Sequence, residues 1–261
     1  MTRLGRPLTS ARDKMPRTIL VVPCFNEEKR LRPDVFLGFA KTWPEGGFLL
    51  VDDGSIDRTF AILEGLQTAM PGSFEALRLP HNVGKAEAVR GGIRKALQSD
   101  AEYVGFWDAD LATPLETVRL FEDVFRERPA VEMVLGARVR LLGKDIRRNP
   151  ARHYLGRVFA TAVAHVLGLE IYDSQCGAKL FRATADVRRA FDAPFTSRWI
   201  FDVELLARFI RLKRAAGVAD VEAFLYELPL PQWHDQRGSK LRPADFAVAI
   251  RDLWRIHRTR G

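Results

Sequence analysis

Two aspartates two positions apart, Asp108 and Asp110 in GFWDADLATP, close an apolar run at a spacing that lets both carboxylates approach one hard divalent cation. Mg²⁺ usually takes one or two protein carboxylates and fills its shell with water and phosphate oxygens. Alone, an Asp-x-Asp pair is more often a solvated turn. Here it has company: Pro23-Cys24-Phe25-Asn26-Glu27-Glu28, Asp52-Asp53-Gly54-Ser55 and His81-Asn82-Val83-Gly84-Lys85 also follow apolar runs. A glycine-relaxed turn bearing carboxylates can accept hydrogen bonds from a ribose or a base edge. Lys85, entering a helix, can approach phosphate. The full Walker string and the dinucleotide glycine fingerprint are both absent, which excludes a P-loop NTPase and a dinucleotide-binding Rossmann site.

Positioning these clusters requires alternating strands and helices. Short apolar runs predict strands at Thr18–Pro23, Phe48–Asp52, Phe74–Leu79, Tyr103–Trp107, Val131–Gly136, Ala178–Arg182 and around Val221–Leu228. Amphipathic stretches predict helices at Asp57–Ala69, Lys85–Leu97, Pro114–Arg128, Arg152–Leu167, Asp202–Arg214 and Pro243–His257. Thr113 is expected to cap the third of these, with Pro114 at its first helical position. The pattern is that of a layered α/β fold, in which ligands bind outside the carboxyl ends of the strands. The four polar clusters fall there.

Of 261 residues, 47% are hydrophobic, and 41 Lys and Arg against 33 Asp and Glu leave a net charge of +8. That composition excludes a disordered chain. Two distant cysteines, Cys24 and Cys176, make neither a disulfide framework nor a zinc site. The longest nearly apolar stretch, about 14 residues from Val158, is too short to span a bilayer. Residues 1–17 are expected to form a basic tail, neither signal nor anchor, so the expected place is the cytoplasm. Arg138 to Arg157 holds seven basic residues against one acid, and 242–261 reads as a basic amphipathic helix. Such helices lie on anionic membrane surfaces, which suggests attachment to the cytoplasmic face of a membrane.

VVPCFNEEKRL, VDDGSIDRT, HNVGKAEAVRGGI and GFWDADLATP, in this order, resemble the family 2 glycosyltransferases of the GT-A fold. LGAR, DSQCGAKLF, RWIFDVELL and WHDQRGSKL resemble the polyprenyl-phosphate branch, the dolichyl-phosphate β-glucosyltransferases more than the mannosyltransferases. The resemblance implies a three-layer sandwich with a mostly parallel central sheet flanked by helices. Within a catalytic domain at 18–241, residues 18–130 would take the nucleotide sugar and 131–241 the acceptor. Pro23, Glu27, Asp52 and Asp53 would line the nucleoside pocket with Lys85 beside it. Asp108 and Asp110 would face the diphosphate through Mg²⁺ or Mn²⁺, Asp110 being the direct ligand. Arg138, Asp173, Gln175, Ser239 and Lys240 would serve the sugar, the acceptor and its phosphate, with Trp199 and Trp233 expected as core aromatics.

The implied reaction is an inverting transfer of glucose from UDP-glucose to a polyprenyl or dolichyl phosphate. GDP-mannose as donor and a soluble hydroxyl as acceptor are the alternatives. A hydroxyl would require a base, for which Asp173 or Asp202 is the candidate; a phosphate dianion would not. A nucleic-acid-binding protein would explain the positive charge, yet no such module is present and strand-end acids repel phosphates. A nucleotidyltransferase lacks its usual first loop here.

Overall fold

The computed structural model describes residues 17–147, 150–235 and 243–258, without the side chains of 150–155, 243–247 and 257. Strands β1 (Thr18–Cys24), β2 (Gly46–Asp52), β3 (Phe74–Arg78) and β4 (Tyr103–Trp107) alternate with helices α1 (Pro33–Lys41), α2 (Thr59–Ala69) and α3 (Lys85–Ala96). Then come α4 (Val118–Glu127), β5 (Met133–Ala137), β6 (Asp145–Arg147), α5 (Pro150–Leu167), β7 (Ala178–Arg182), α6 (Ala185–Ala190) and α7 (Phe201–Ala215). β8 (Leu225–Pro229), β9 (Gln232–His234) and α8 (Pro243–Arg258) complete the order.

Seven strands form one sheet in the order β3-β2-β1-β4-β7-β5-β8, and β6 pairs with β9 separately. Only β7 runs antiparallel, inserted between β4 and β5. This reversal brings the start of β7 to the edge where the other strands end. The expected layered α/β sandwich with a mostly parallel sheet is therefore the observed architecture.

Period-two alternation divides the core. Val21, Leu49, Val51, Val104, Phe106, Met133 and Leu135 face a layer containing α3 and α5 to α8. Leu20, Val22, Leu50, Tyr103, Trp107 and Val134 face α1, α2 and α4. Successive strand side chains point to opposite faces, so a sheet covered on both sides needs continuous apolar runs. Each large apolar side chain fully buried this way contributes about 1.5–3 kcal/mol.

Several boundaries differ from the sequence expectation. Pro114 has an extended ψ of 144° and precedes a 3₁₀ turn, Leu115–Thr117, so α4 starts only at Val118. Thr113 supplies its carbonyl to the Trp107 indole at 2.8 Å. Its side chain does not cap that turn. Helix α1, with Pro33 in its first turn, and α6, capped by the Thr184 hydroxyl accepting from the Val187 N–H, were not anticipated. Nor was the β6–β9 pair. Among the described residues, no helix is long and apolar enough to cross a membrane.

Phe106 is fully buried between the rings of Phe181 at 6.1 Å and Phe201 at 5.8 Å. Phe106→Ala removes packing that joins β4, β7 and α7, and a loss of about 3–5 kcal/mol is expected, measured by denaturant unfolding.

Candidate active site

The first two strand-end loops are sewn together by short-range geometry. Asn26, at a left-handed φ of 53°, gives its N–H to the Ser55 hydroxyl at 3.0 Å and accepts from the Ile56 N–H at 3.1 Å. The Glu27 N–H donates to Thr59 Oγ1 at 2.8 Å, and its carboxylate pairs with Arg30, Nε at 2.7 Å. Pro23 lies half-buried within β1, beside Val51 of β2.

The two aspartates at the end of β2 do different work. Asp53 accepts from Asn82 Nδ2 at 3.0 Å, Val83 N–H at 2.8 Å and Gly84 N–H at 2.9 Å. It therefore shapes the loop ahead of α3, and its carboxylate is consumed there. Burial pushes its pKa up, against the pull of those two N–H groups. Asp52 is fully buried and accepts the Ser55 N–H at 3.2 Å through Oδ1. Its Oδ2 has no hydrogen-bond partner, with Arg78 Nε at 3.5 Å. That ion pair with the half-exposed Arg78 partly offsets the cost of burying the carboxylate at the end of β2.

Gly84 turns the same loop at φ +92°, a backbone that side chains rarely adopt, and delivers Lys85 to the first turn of α3. Lys85 Nζ lies 2.5 Å from Asp108 Oδ1. Asp108 in turn is seated on the backbone of Gly177: its N–H donates to the Gly177 carbonyl at 3.0 Å. A Cβ at residue 177 would come within 1.8 Å of Asp108 Oδ2. Leu111, at φ 54°, tightens the turn that carries Asp110, whose Oδ1 accepts the Ala112 N–H at 3.0 Å. Strain of this kind at a non-glycine residue is typical of functional turns. Desolvation raises the Asp110 pKa, and the neighbouring Asp108 charge raises it further. Desolvation alone would lower that of Lys85, but Asp108, Asp202 and Asp110 outweigh it and hold the ammonium above its usual value.

The segment after β5 and the 172–177 loop close on the same edge. Arg138, immediately after β5, forms a bidentate pair with Asp173, Nε–Oδ2 2.6 Å and Nη2–Oδ1 2.7 Å, and lies over the Trp233 ring at 5.3 Å. The charges of Asp173 and Asp108 both hold the Arg138 pKa above its ordinary value, despite desolvation that acts first and in the opposite direction. Glu227 of β8 accepts the N–H groups of Tyr172 at 2.6 Å and Asp173 at 2.7 Å, fixing the loop. Gln175 Nε2 reaches the carbonyl of half-exposed Trp199 at 3.4 Å. Asp202 pairs with fully buried Lys179 at 2.7 Å, and that ammonium also donates to the Cys176 carbonyl at 2.5 Å.

Lys85, Asp108, Asp110, Arg138 and Asp173 thus converge, while Ser239 and Lys240 lie outside the described residues. Trp233 is buried as expected of a core aromatic; Trp199 is instead 41% exposed at the mouth. Four contributors were missed: Arg78, Glu227, Gly177 and Arg198, whose guanidinium donates to the Val83 carbonyl at 3.1 Å. A Gly at the fifth position of DSQCG was the one visible signal. Among the described residues no cluster of three or more acidic, His or Cys side chains could hold a metal. Asp108 and Asp110, two carboxylates two positions apart, are a donor set that suits an ion completing its shell on phosphate oxygens.

The family model described as glycosyl transferase family 2 matches residues 19–188, spanning all the strands that build this edge except β8. The chain belongs to that family and is a glycosyltransferase. Its curated relatives include dolichyl-phosphate β-glucosyltransferases of Trichomonas vaginalis, 31% identical over 92% of this chain and 70% of the relative, and of Dictyostelium discoideum, 32% identical over 91% and 72%. That of Saccharomyces cerevisiae is 30% identical over 90% and 72%. Mycobacterium tuberculosis glucosyl-3-phosphoglycerate synthase, solved with Mn²⁺ and UDP-glucose, shares the fold with a TM-score of 0.62 and 17% identity over 98% of this chain and 84% of that one.

On the expectation of a UDP-sugar donor held with Mn²⁺, Gly177→Ala should weaken UDP–Mn²⁺ binding by about tenfold, because a Cβ there displaces the Asp108 carboxylate. Titration calorimetry measures this, with the melting temperature as control. On the expectation that Asp110 is the metal ligand, the cation needs its carboxylate ionised, and burial and Asp108 hold that pKa above the ordinary value of 3.8. Mn²⁺–UDP affinity should accordingly be retained at neutral pH and fall with acidification through a midpoint above that value, read by titrations at successive pH.

Proposed function

We propose that the chain moves glucose from UDP-glucose to dolichyl phosphate, or a related polyprenyl phosphate, in one in-line displacement at a membrane surface. Residues 18–130 would hold the donor and 131–241 the acceptor. The observation that carries this reading is the meeting of Lys85, Asp108 and Asp110 with Arg138 on one sheet edge. The relatives named for this reaction add support, since identity to them runs through both halves.

A phosphate oxygen of the lipid attacks C1 of the sugar, the bond from C1 to the UDP β-phosphate oxygen breaks, and the anomeric centre inverts. A phosphate monoester, with a second pKa near 6, is largely a dianion at neutral pH and needs no base. The side chains favour that acceptor over a hydroxyl: Asp173 is held by Arg138 and Asp202 by Lys179, so both candidate bases are already ion-paired. Asp52 and Asp53 would shape the nucleoside pocket, Asp52 from its ion pair with Arg78 and Asp53 through the 82–84 loop. Lys85 orients a diphosphate from the first turn of α3, and Arg138 lowers the repulsion between the two anionic substrates. Mg²⁺ or Mn²⁺ held by Asp110 and Asp108 would supply charge neutralisation for the departing diphosphate.

The test is transfer of labelled glucose from UDP-glucose to a short polyprenyl phosphate in detergent, with GDP-mannose and a free sugar hydroxyl as competing arms. A β-glucosyl phosphate lipid is the expected product, with Asp110→Asn lowering kcat/KM by about 10²–10³. Arg138→Ala should raise the KM for the lipid more than that for UDP-glucose. Hydrolysis of UDP-glucose without lipid product, or preferred transfer to the hydroxyl, would overturn the reading.

A further inference from the structure

Away from the strand ends, on the outer side of α7, lies a cavity of about 1050 Å³ enclosed by α5, α7 and α8. Val166, Leu167, Ile210 and Ile256 supply apolar walls. Around them stand Arg189, Arg208, Arg211, Arg214, Arg255 and Arg258. Among the described lining residues the single carboxylate, Glu204, is taken by Arg208 at 2.7 Å and by the N–H groups of Thr196 and Ser197, while Arg189 and Arg255 face Asp186 and Asp252 at 4.0 and 3.8 Å. Beside the cavity α8 turns Ile250 and Trp254 to solvent, 64% and 54% exposed, with the Arg258 guanidinium over the Trp254 ring at 3.8 Å.

We propose that this groove seats an anionic phospholipid of the bilayer, its acyl chain along the apolar walls and its phosphate among Arg211, Arg214 and Arg258, so that α8 lies in the membrane surface. Charge selects the occupant. Residues 1–16 and 236–242 of this chain are net basic, and a second copy would bring another +8, so each is repelled by the arginine rim. A surface pairing basic residues with exposed Trp and Ile fits the boundary between headgroups and acyl chains, where aromatic rings and cationic side chains are both favoured.

Helix α8, one wall of the groove, is tied to a segment that reaches the strand-end edge. Ser197 Oγ donates to Asp252 of α8 at 2.9 Å, both residues buried; of the next two residues, Arg198 donates to the Val83 carbonyl and Trp199 accepts from Gln175 Nε2. A bilayer holding α8 thereby holds the segment that walls the site. The inference rests on the proposed reaction only in taking a bilayer as the place where the acceptor is found.

The test is sedimentation of the full chain with vesicles of phosphatidylcholine alone or of equal parts phosphatidylcholine and phosphatidylserine. Binding is expected only to the anionic vesicles, weakened about tenfold or more by Arg211→Glu with Arg214→Glu. The control pair Lys41→Glu with Arg126→Glu, exposed on the opposite helical layer, changes net charge equally and should leave binding within about twofold, since screening confines the attraction to charges near the surface. Brominated acyl chains should quench tryptophan fluorescence, and Trp254→Phe should remove that quenching without altering the melting temperature. Equal binding to both vesicle types, equal loss in the control pair, or no quenching attributable to Trp254 would overturn the proposal. Glucosyl transfer in detergent should be unchanged by the groove pair. A wild type that makes no lipid product yet binds anionic vesicles as described would sink the proposed reaction and leave the phospholipid site standing.

Discussion

Asp108 is compressed between an ammonium and a backbone: Lys85 Nζ on one side and, on the other, Gly177, where no side-chain carbon fits. That contact exists because β7 enters the sheet in reverse between β4 and β5, setting Ala178 against Trp107. Had β7 run parallel, its start would lie at the far edge, and Asp108 would face solvent rather than a glycine and the acceptor loop. Asp108, Arg138 and the 172–177 loop that joins them all take their positions from this one reversal.

Carboxylates at this edge divide by what meets them. Asp53 spends its oxygens on three donors of the 82–84 loop, Asp173 on Arg138, and Asp202 on Lys179. These pairs build the walls. Asp52 keeps one buried oxygen without a donor, and Asp110 accepts a single N–H while its pKa is pushed up by burial and by Asp108. Under the proposed reaction, Asp110 is the carboxylate of this edge left with most capacity for a further ligand.

Buried charge also ties the layers together. Lys179, inaccessible to solvent, binds Asp202 of α7 and the Cys176 carbonyl ahead of β7, while Lys213 bridges Glu132 at 2.5 Å and Asp186 at 3.0 Å at the opposite end of α7. Losing one partner of a buried pair typically costs about 3–5 kcal/mol, because the other charge is stranded. Helix α7 is therefore pinned at both ends by ionic contacts that an apolar core alone would not register. The segment before it can then carry Arg198 and Trp199 to fixed positions at the mouth.

Apolar runs followed by the clusters at Asp52, His81 and Asp108 made the strand ends, and with them the polar edge, legible in the sequence. Strand alternation and strand-end polarity are local properties, readable within a few residues. Helices α1 and α6 escaped because they are short, and Thr113 was misjudged as a cap because its carbonyl serves the Trp107 indole. What the sequence could not decide was which acids remain available, since their partners arrive from afar: Arg138 and Asp173 are 35 residues apart, Lys179 and Asp202 are 23. Residue type set which side chains can act; the reversed strand and the long-range ion pairs, formed only when the sheet closes, set which of them are left to do so.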